Sequence, residues 1–147
     1  MAILGIRVFF DADVIIAGSA SQIGASFLLL QLCELGLLNG LTSKQVVEEC
    51  KRNIRKKLPK AEPFFKQIIK YSLEIVPNPK SKVIKTYQQE AHLKDVPILA
   101  AALETKAQYL LTFNISHYWP DADRNILICK PGDLLQKIRQ QLTQLTK

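Results

Sequence analysis

Four short apolar runs, each separated from the next by one or more helix-length stretches, restrict this chain to few architectures: Ile6 to Phe10, Leu73 to Val76, the QYLLT segment ending at Thr112, and Ile126 to Cys129. Each is too short to be a buried helix and is apolar on both faces, the pattern of a strand covered from both sides. Strands and helices in alternation favour a parallel sheet wrapped by helices, an α/β fold. In such sheets a ligand sits beyond the carboxyl ends of the strands. The first run ends at Asp11 and Asp13, so the chemistry is expected there.

The intervening segments read as helices. Apolar positions Ile23, Phe27, Leu28, Leu30, Leu35 and Leu38 recur at helical spacing over Ser21 to Leu38, with Gly36 and Gly40 as stop signals. After a short apolar step at Leu41, Ser43 is a suitable N-cap for a helix to about Lys57 whose Val46, Val47, Cys50 and Ile54 share a face. Pro59 interrupts, and further helices are expected at Pro63 to Ser72, Ser81 to Glu90, after Asp95, and from Pro131 onward. The Pro-Asn-Pro after Val76 is a loop, and no stretch has the composition of a linker, so one domain spanning 1–147 is expected.

Composition excludes several classes. With 48% hydrophobic and 22% charged residues, the chain should fold instead of staying disordered. No run of eighteen apolar residues suggests a membrane span, and the start meets acids too early for a leader, so a cytoplasmic protein is expected. Cys33, Cys50 and Cys129 are odd in number and lack a Cys-x-x-Cys spacing; they read as core thiols in a reducing compartment. The net charge of +7 is uneven, because Lys51, Arg52, Arg55, Lys56, Lys57 and Lys60 fall within ten residues. This cluster is either a solvated helix face or a surface for a polyanion.

Asp11 and Asp13 flank one residue and are followed by apolar Val14, Ile15 and Ile16. Two such carboxylates stay ionised together only if cations or donors compensate, the role a hard ion such as Mg²⁺ fills; otherwise they cap the following turn. Helical projection puts Glu49 at the edge of its apolar face and Glu48 nearer the opposite side, with Asn53 one turn on from Glu49 and able to hydrogen-bond it. Asp95 reads either as an N-cap or a ligand, and Asn114 as a turn residue or an oxygen donor.

Taken in order, VFFDADVIIAG, GASFLLLQLCELG, TSKQVVEECKRNI, KDVPILAAALETKAQYLLTFN and ILICKPGDLL resemble the PIN-domain family, including its VapC-type toxin ribonucleases. The resemblance implies a PIN-like three-layer α/β/α sandwich around a mainly parallel sheet. It implies Mg²⁺- or Mn²⁺-dependent hydrolysis of single-stranded RNA, with Asp11, Glu49 and Asp95 at the positions of the family's metal-coordinating acids and Asp13 in support. Asn114 and Thr112 fall where many members carry Thr-Gly-Asp, so the fourth acid is replaced, and His117 or Asp121 is a substitute donor. Lys51, Arg52, Arg55 and Lys56 would contact RNA phosphates, and Tyr118 and Trp119 would either stack on unpaired bases or, as loop aromatics commonly do, merely cover the core. A small antitoxin and a homodimer are the partners the resemblance implies; no membrane is.

Two rivals accompany this reading. A PIN-like module that binds RNA or protein without cutting is suggested by Asn114. VFFDADVI also resembles the start of haloacid-dehalogenase-like phosphatases, which would make Asp11 a covalent nucleophile and Asp13 its acid/base, although Gly132-Asp133 lacks the second acid that family needs.

Overall fold

The computed structural model describes residues 5–146; residues 1–4, part of the start read against a leader, and Lys147 lie outside the described residues. Five strands form one sheet: β1 (Arg7–Phe10), β2 (Asn39–Ser43), β3 (Glu74–Val76), β4 (Tyr109–Leu111) and β5 (Leu127–Cys129). Their spatial order is β3-β2-β1-β4-β5 and every pairing is parallel. The expected α/β architecture is therefore present, with one more strand than the four apolar runs. The helices are α1 (Ala12–Ala20), α2 (Ala25–Glu34), α3 (Lys44–Lys57), α4 (Glu62–Tyr71), α5 (Ser81–Thr86), α6 (Val96–Glu104) and α7 (Pro131–Leu145).

The extra strand corrects the reading of Leu41 as a mere step. NGLTS carries one large apolar residue, yet Thr42 and Ser43 are buried because β2 is paired on both edges, and the Thr42 hydroxyl donates to the Phe10 carbonyl at 2.9 Å. Gly40 is needed for close approach and is not a helix stop: a Cβ there would lie 2.7 Å from the Ser72 carbonyl oxygen and 2.8 Å from Cys33 Sγ.

A second correction concerns residues 12–38. The expected helix from Ser21 to Leu38 is shorter, Ala25–Glu34, and is preceded by α1, which begins directly after β1. Asp11 is the α1 N-cap, its Oδ1 accepting from the Ala12 amide at 2.8 Å, so the strand turns into a helix with no intervening loop. The helix expected over Ser81 to Glu90 likewise stops at Thr86.

The core lies on both faces of the sheet. Phe9, Phe10, Ile15, Leu29, Leu30, Leu41, Ile54, Leu99, Leu110, Leu111 and Leu134 are all fully buried, and the α3 face of Val46, Val47, Cys50 and Ile54 packs inward as its spacing predicts. Cys33 and Cys50 are core thiols, while Cys129 is half-buried. No single helix among the described residues is long and apolar enough to cross a membrane.

The strand order reverses at β1, which has β2 and β3 on one side and β4 and β5 on the other, leaving a crevice at the carboxyl ends of β1 and β4. That crevice is where an open parallel sheet accepts a ligand.

Candidate functional site

A cavity of about 240 Å³ opens at the carboxyl end of the sheet, lined by Asp11, Asp13, Gln45, Glu49, Lys94, Asp95, Asn114 and His117. Asp11, Asp13, Glu49 and Asp95, widely separated along the chain, therefore share one space. Asp11 and Asp13 come from the β1–α1 junction, Glu49 from the second turn of α3, and Asp95 from the 3₁₀ turn Leu93–Asp95 that leads into α6.

Asp11 is the best-anchored acid. Its Oδ2 accepts from the Thr112 hydroxyl and from the Tyr118 phenol, both at 2.9 Å, in addition to the Ala12 amide on Oδ1. Burial pushes its pKa upward, these donors pull it down, the Asp95 charge adds to the rise, and burial prevails. Thr112 thus bridges the ends of β1 and β4. Tyr118 corrects the expectation of a base-stacking ring: its side chain is buried and its hydroxyl is committed to Asp11.

Asp13 uses one oxygen only. Oδ2 accepts from the Phe113 amide at 2.9 Å and the Asn114 side-chain amide at 3.2 Å, whereas Oδ1 is buried and has no hydrogen-bond partner. Burial first, then the neighbouring Asp11 charge, raise its pKa to about 6. Asn114, expected as an oxygen donor to an ion, presents its amide nitrogen to Asp13. A buried, unsatisfied carboxylate oxygen is costly unless a cation or a proton meets it.

Glu49 has a raised pKa from burial and from the charges of Asp11 and Asp95, partly offset by Arg52 and Lys94. Asn53 does not reach its carboxylate; the Asn53 amide donates to the Glu49 backbone carbonyl at 3.0 Å, an ordinary one-turn contact within a helix. Asp95 sits at the N-cap position of α6 without capping it, because its Oδ2 faces His117 Nδ1 at 3.1 Å. Asp121 is not part of the cavity and lies 3.9 Å from Arg124.

The basic residues of α3 run along its exposed side: Arg52, Arg55 and Lys56 are exposed and Lys51 is half-buried. Lys51 lies 3.6 Å from Glu48 and Arg55 lies 3.8 Å from Glu62. Arg52 is one turn beyond Glu49, so the cationic face begins at the cavity rim. Sequence reasoning misses Gln45, Lys94 and the role of Tyr118; Lys94 is signalled only by standing next to Asp95.

An all-parallel sheet with carboxylates gathered at its central crevice defines an α/β protein with an acidic pocket. Residues 7–116 match the sequence profile described as PIN domain, and the chain belongs to that family. No curated protein matches it. Among solved structures it is similar to VapBC2 from Rickettsia felis bound to a DNA fragment from its promoter, with TM-score 0.62, 17% identity, and coverage of 84% of this chain and 98% of that one. It is also similar to VapC20 from Mycobacterium tuberculosis, described as a sarcin-ricin loop cleaving toxin, with TM-score 0.52, 13% identity, and coverage of 73% and 89%. At these identities the likeness speaks for the fold.

Proposed function

We propose that this chain, read as one PIN-like domain over 1–147, is a metal-dependent endoribonuclease that hydrolyses phosphodiesters in single-stranded RNA. The observation that carries the reading is the cavity shared by Asp11, Asp13, Glu49 and Asp95; beside it, the buried Asp13 Oδ1 has no hydrogen-bond partner. Such a donor set is all oxygen and anionic, suited to Mg²⁺ or Mn²⁺. Raised pKa values at Asp11, Asp13 and Glu49 are the mark of charges awaiting a counter-ion. When bound there, the ion would polarise the phosphoryl group and make a water molecule more acidic.

The chain's own residues supply the rest. Thr112 and Tyr118 fix the Asp11 carboxylate so that it does not reorient as charge develops. Lys94 at the cavity wall and Arg52 at its rim attract the phosphate that the acids alone would repel. Lys51, Arg52, Arg55 and Lys56 extend this contact along the strand, and Trp119, half exposed, offers a ring for an unpaired base. We place the reaction in the cytoplasm, where three unpaired thiols remain reduced. The likeness to VapBC2 and to the VapC20 toxin supports reading the chain as the toxin of a toxin-antitoxin pair with a small antitoxin as partner, and we place a second copy of the chain beside it as a homodimer.

The test is titration of Mg²⁺ and Mn²⁺ against a mixed RNA pool, with Asp95→Asn as control and mapping of the cut ends. Cleavage leaving 5′-phosphate and 3′-hydroxyl, lost in the variant, is the expected result. Binding without cleavage by highly purified protein favours the non-cutting module that Asn114 suggests. The phosphatase reading needs an acid at Gly132-Asp133 beside Asp11, but Asp133 sits in the first turn of α7, accepts from the Lys130 amide and does not line the cavity.

A further inference from the structure

At the Asp95–His117 wall of the same cavity, with His92 beside it, a second donor set differs in chemistry. One ligand atom each from His92, Asp95 and His117 lie within 4.8 Å of one another. Two imidazoles and one carboxylate are poor partners for Mg²⁺ and good ones for a borderline ion such as Zn²⁺. We infer that His92, Asp95 and His117 form a binding site for a zinc-class transition-metal ion, sharing Asp95 and His117 with the wall of the acidic cavity.

Two of the three donors stand at ligand spacing, and the third needs a ring rotation. A tetrahedral ion with bonds of about 2.0–2.1 Å sets its donors roughly 3.3–3.5 Å apart. His117 Nδ1 and Asp95 Oδ2 already stand 3.1 Å apart. The His92 ring stacks on that of His117, with centroids 4.2 Å apart and planes at 21°, so it must turn out of the stack to aim a nitrogen at the ion, a rotation its exposed position permits.

The backbone holds these side chains together. The His92 amide donates to the His117 carbonyl and the Trp119 amide to the Glu90 carbonyl, both at 2.8 Å, around an antiparallel bridge between Ala91 and Tyr118. The Asp95 amide donates in turn to the His92 carbonyl at 2.8 Å, closing the turn that carries the carboxylate. Trp119 packs edge-on to the His92 ring at 5.4 Å. The buried Glu90 carboxylate locks the following segment, accepting from the Asp121 amide at 2.9 Å and from Arg124 at 2.8 and 3.2 Å. The paired backbone fixes where the three side chains start, so the ordering cost of capturing an ion falls on side-chain rotation, mainly that of His92. With three protein ligands, the fourth position of the ion is open to water.

The site is tested by equilibrium binding of Zn²⁺, and of Co²⁺ through its visible absorption, to the full chain in the presence of excess Mg²⁺. Wild type should take one ion per chain. His92→Ala and His92→Gln, both at an exposed position and both checked by thermal unfolding, should weaken binding by roughly tenfold or more, while Asp13→Asn changes it by less than about threefold. Equal affinity in wild type and both His92 variants, or loss of binding in Asp13→Asn alone, overturns the assignment. No RNA enters the measurement, so its failure and the failure of the nuclease reading are seen separately.

Discussion

Asp11 and Glu49 line the same cavity, yet they are held differently. Asp11 accepts from the Ala12 amide and two hydroxyls, while none of the described hydrogen bonds reaches the Glu49 carboxylate. Fixed dipoles therefore balance the charge at the strand end, and the cations Arg52 and Lys94 balance it on the helix side. The strand end is preorganised and the helix side can adjust, which suits a rigid seat for an ion beside a wall that admits a chain of phosphates.

The sharpest break would come from removing each acid in turn. Asp11→Asn and Glu49→Gln should each lower Mg²⁺-dependent RNA cleavage by roughly 100-fold or more, measured as single-turnover rates. Stability should separate them from their surroundings. Tyr118→Phe strips a donor from a buried carboxylate and should cost about 1–3 kcal/mol by urea unfolding at pH 8, whereas Glu49→Gln should stay within about 0.5 kcal/mol of wild type. Equal costs would mean the two walls do not differ as described.

Asp13 gives a pH-dependent version of the contrast. Its folded pKa, about 6, lies above the ordinary 3.8, so the native state holds the proton more tightly than the unfolded chain does. The stabilisation is full below about pH 3.8 and is lost as pH rises through about 6. Metal-free wild type should thus be roughly 1–2 kcal/mol less stable than Asp13→Asn at pH 8, after allowance for partial exposure, and the gap should close near pH 4 in paired melts. The smallest effect belongs to the helix side: Arg52→Ala should weaken RNA binding a few-fold and reduce the slope of log affinity against log salt by about 1.

How far the fold and site can be read from the sequence differs by element for physical reasons. β1 and the acids after it are legible because an apolar run ending in two carboxylates has few folded solutions. Glu49 is legible because Val46, Val47, Cys50 and Ile54 fix the rotation of α3. β2 is hidden because NGLTS is buried by its neighbours and not by its own hydrophobicity, and Gly40 signals a stop when its use is close packing. α1 is hidden because Asp11 serves at once as strand end, helix cap and cavity wall. Tyr118 cannot be placed from sequence, since nothing local distinguishes a phenol that caps a carboxylate 107 residues away from one that faces solvent.

The Asp11–Thr112 bond joins residues 101 positions apart, and β1 takes β4 as its neighbour only after Tyr109–Leu111 has been made. During synthesis the first strand must wait with one edge unpaired until Tyr109–Leu111 has emerged, because so distant a pairing forms late. A nascent chain that stops short of these residues lacks Thr112 and Tyr118, so the complete pocket comes into being only after Tyr118 has been made.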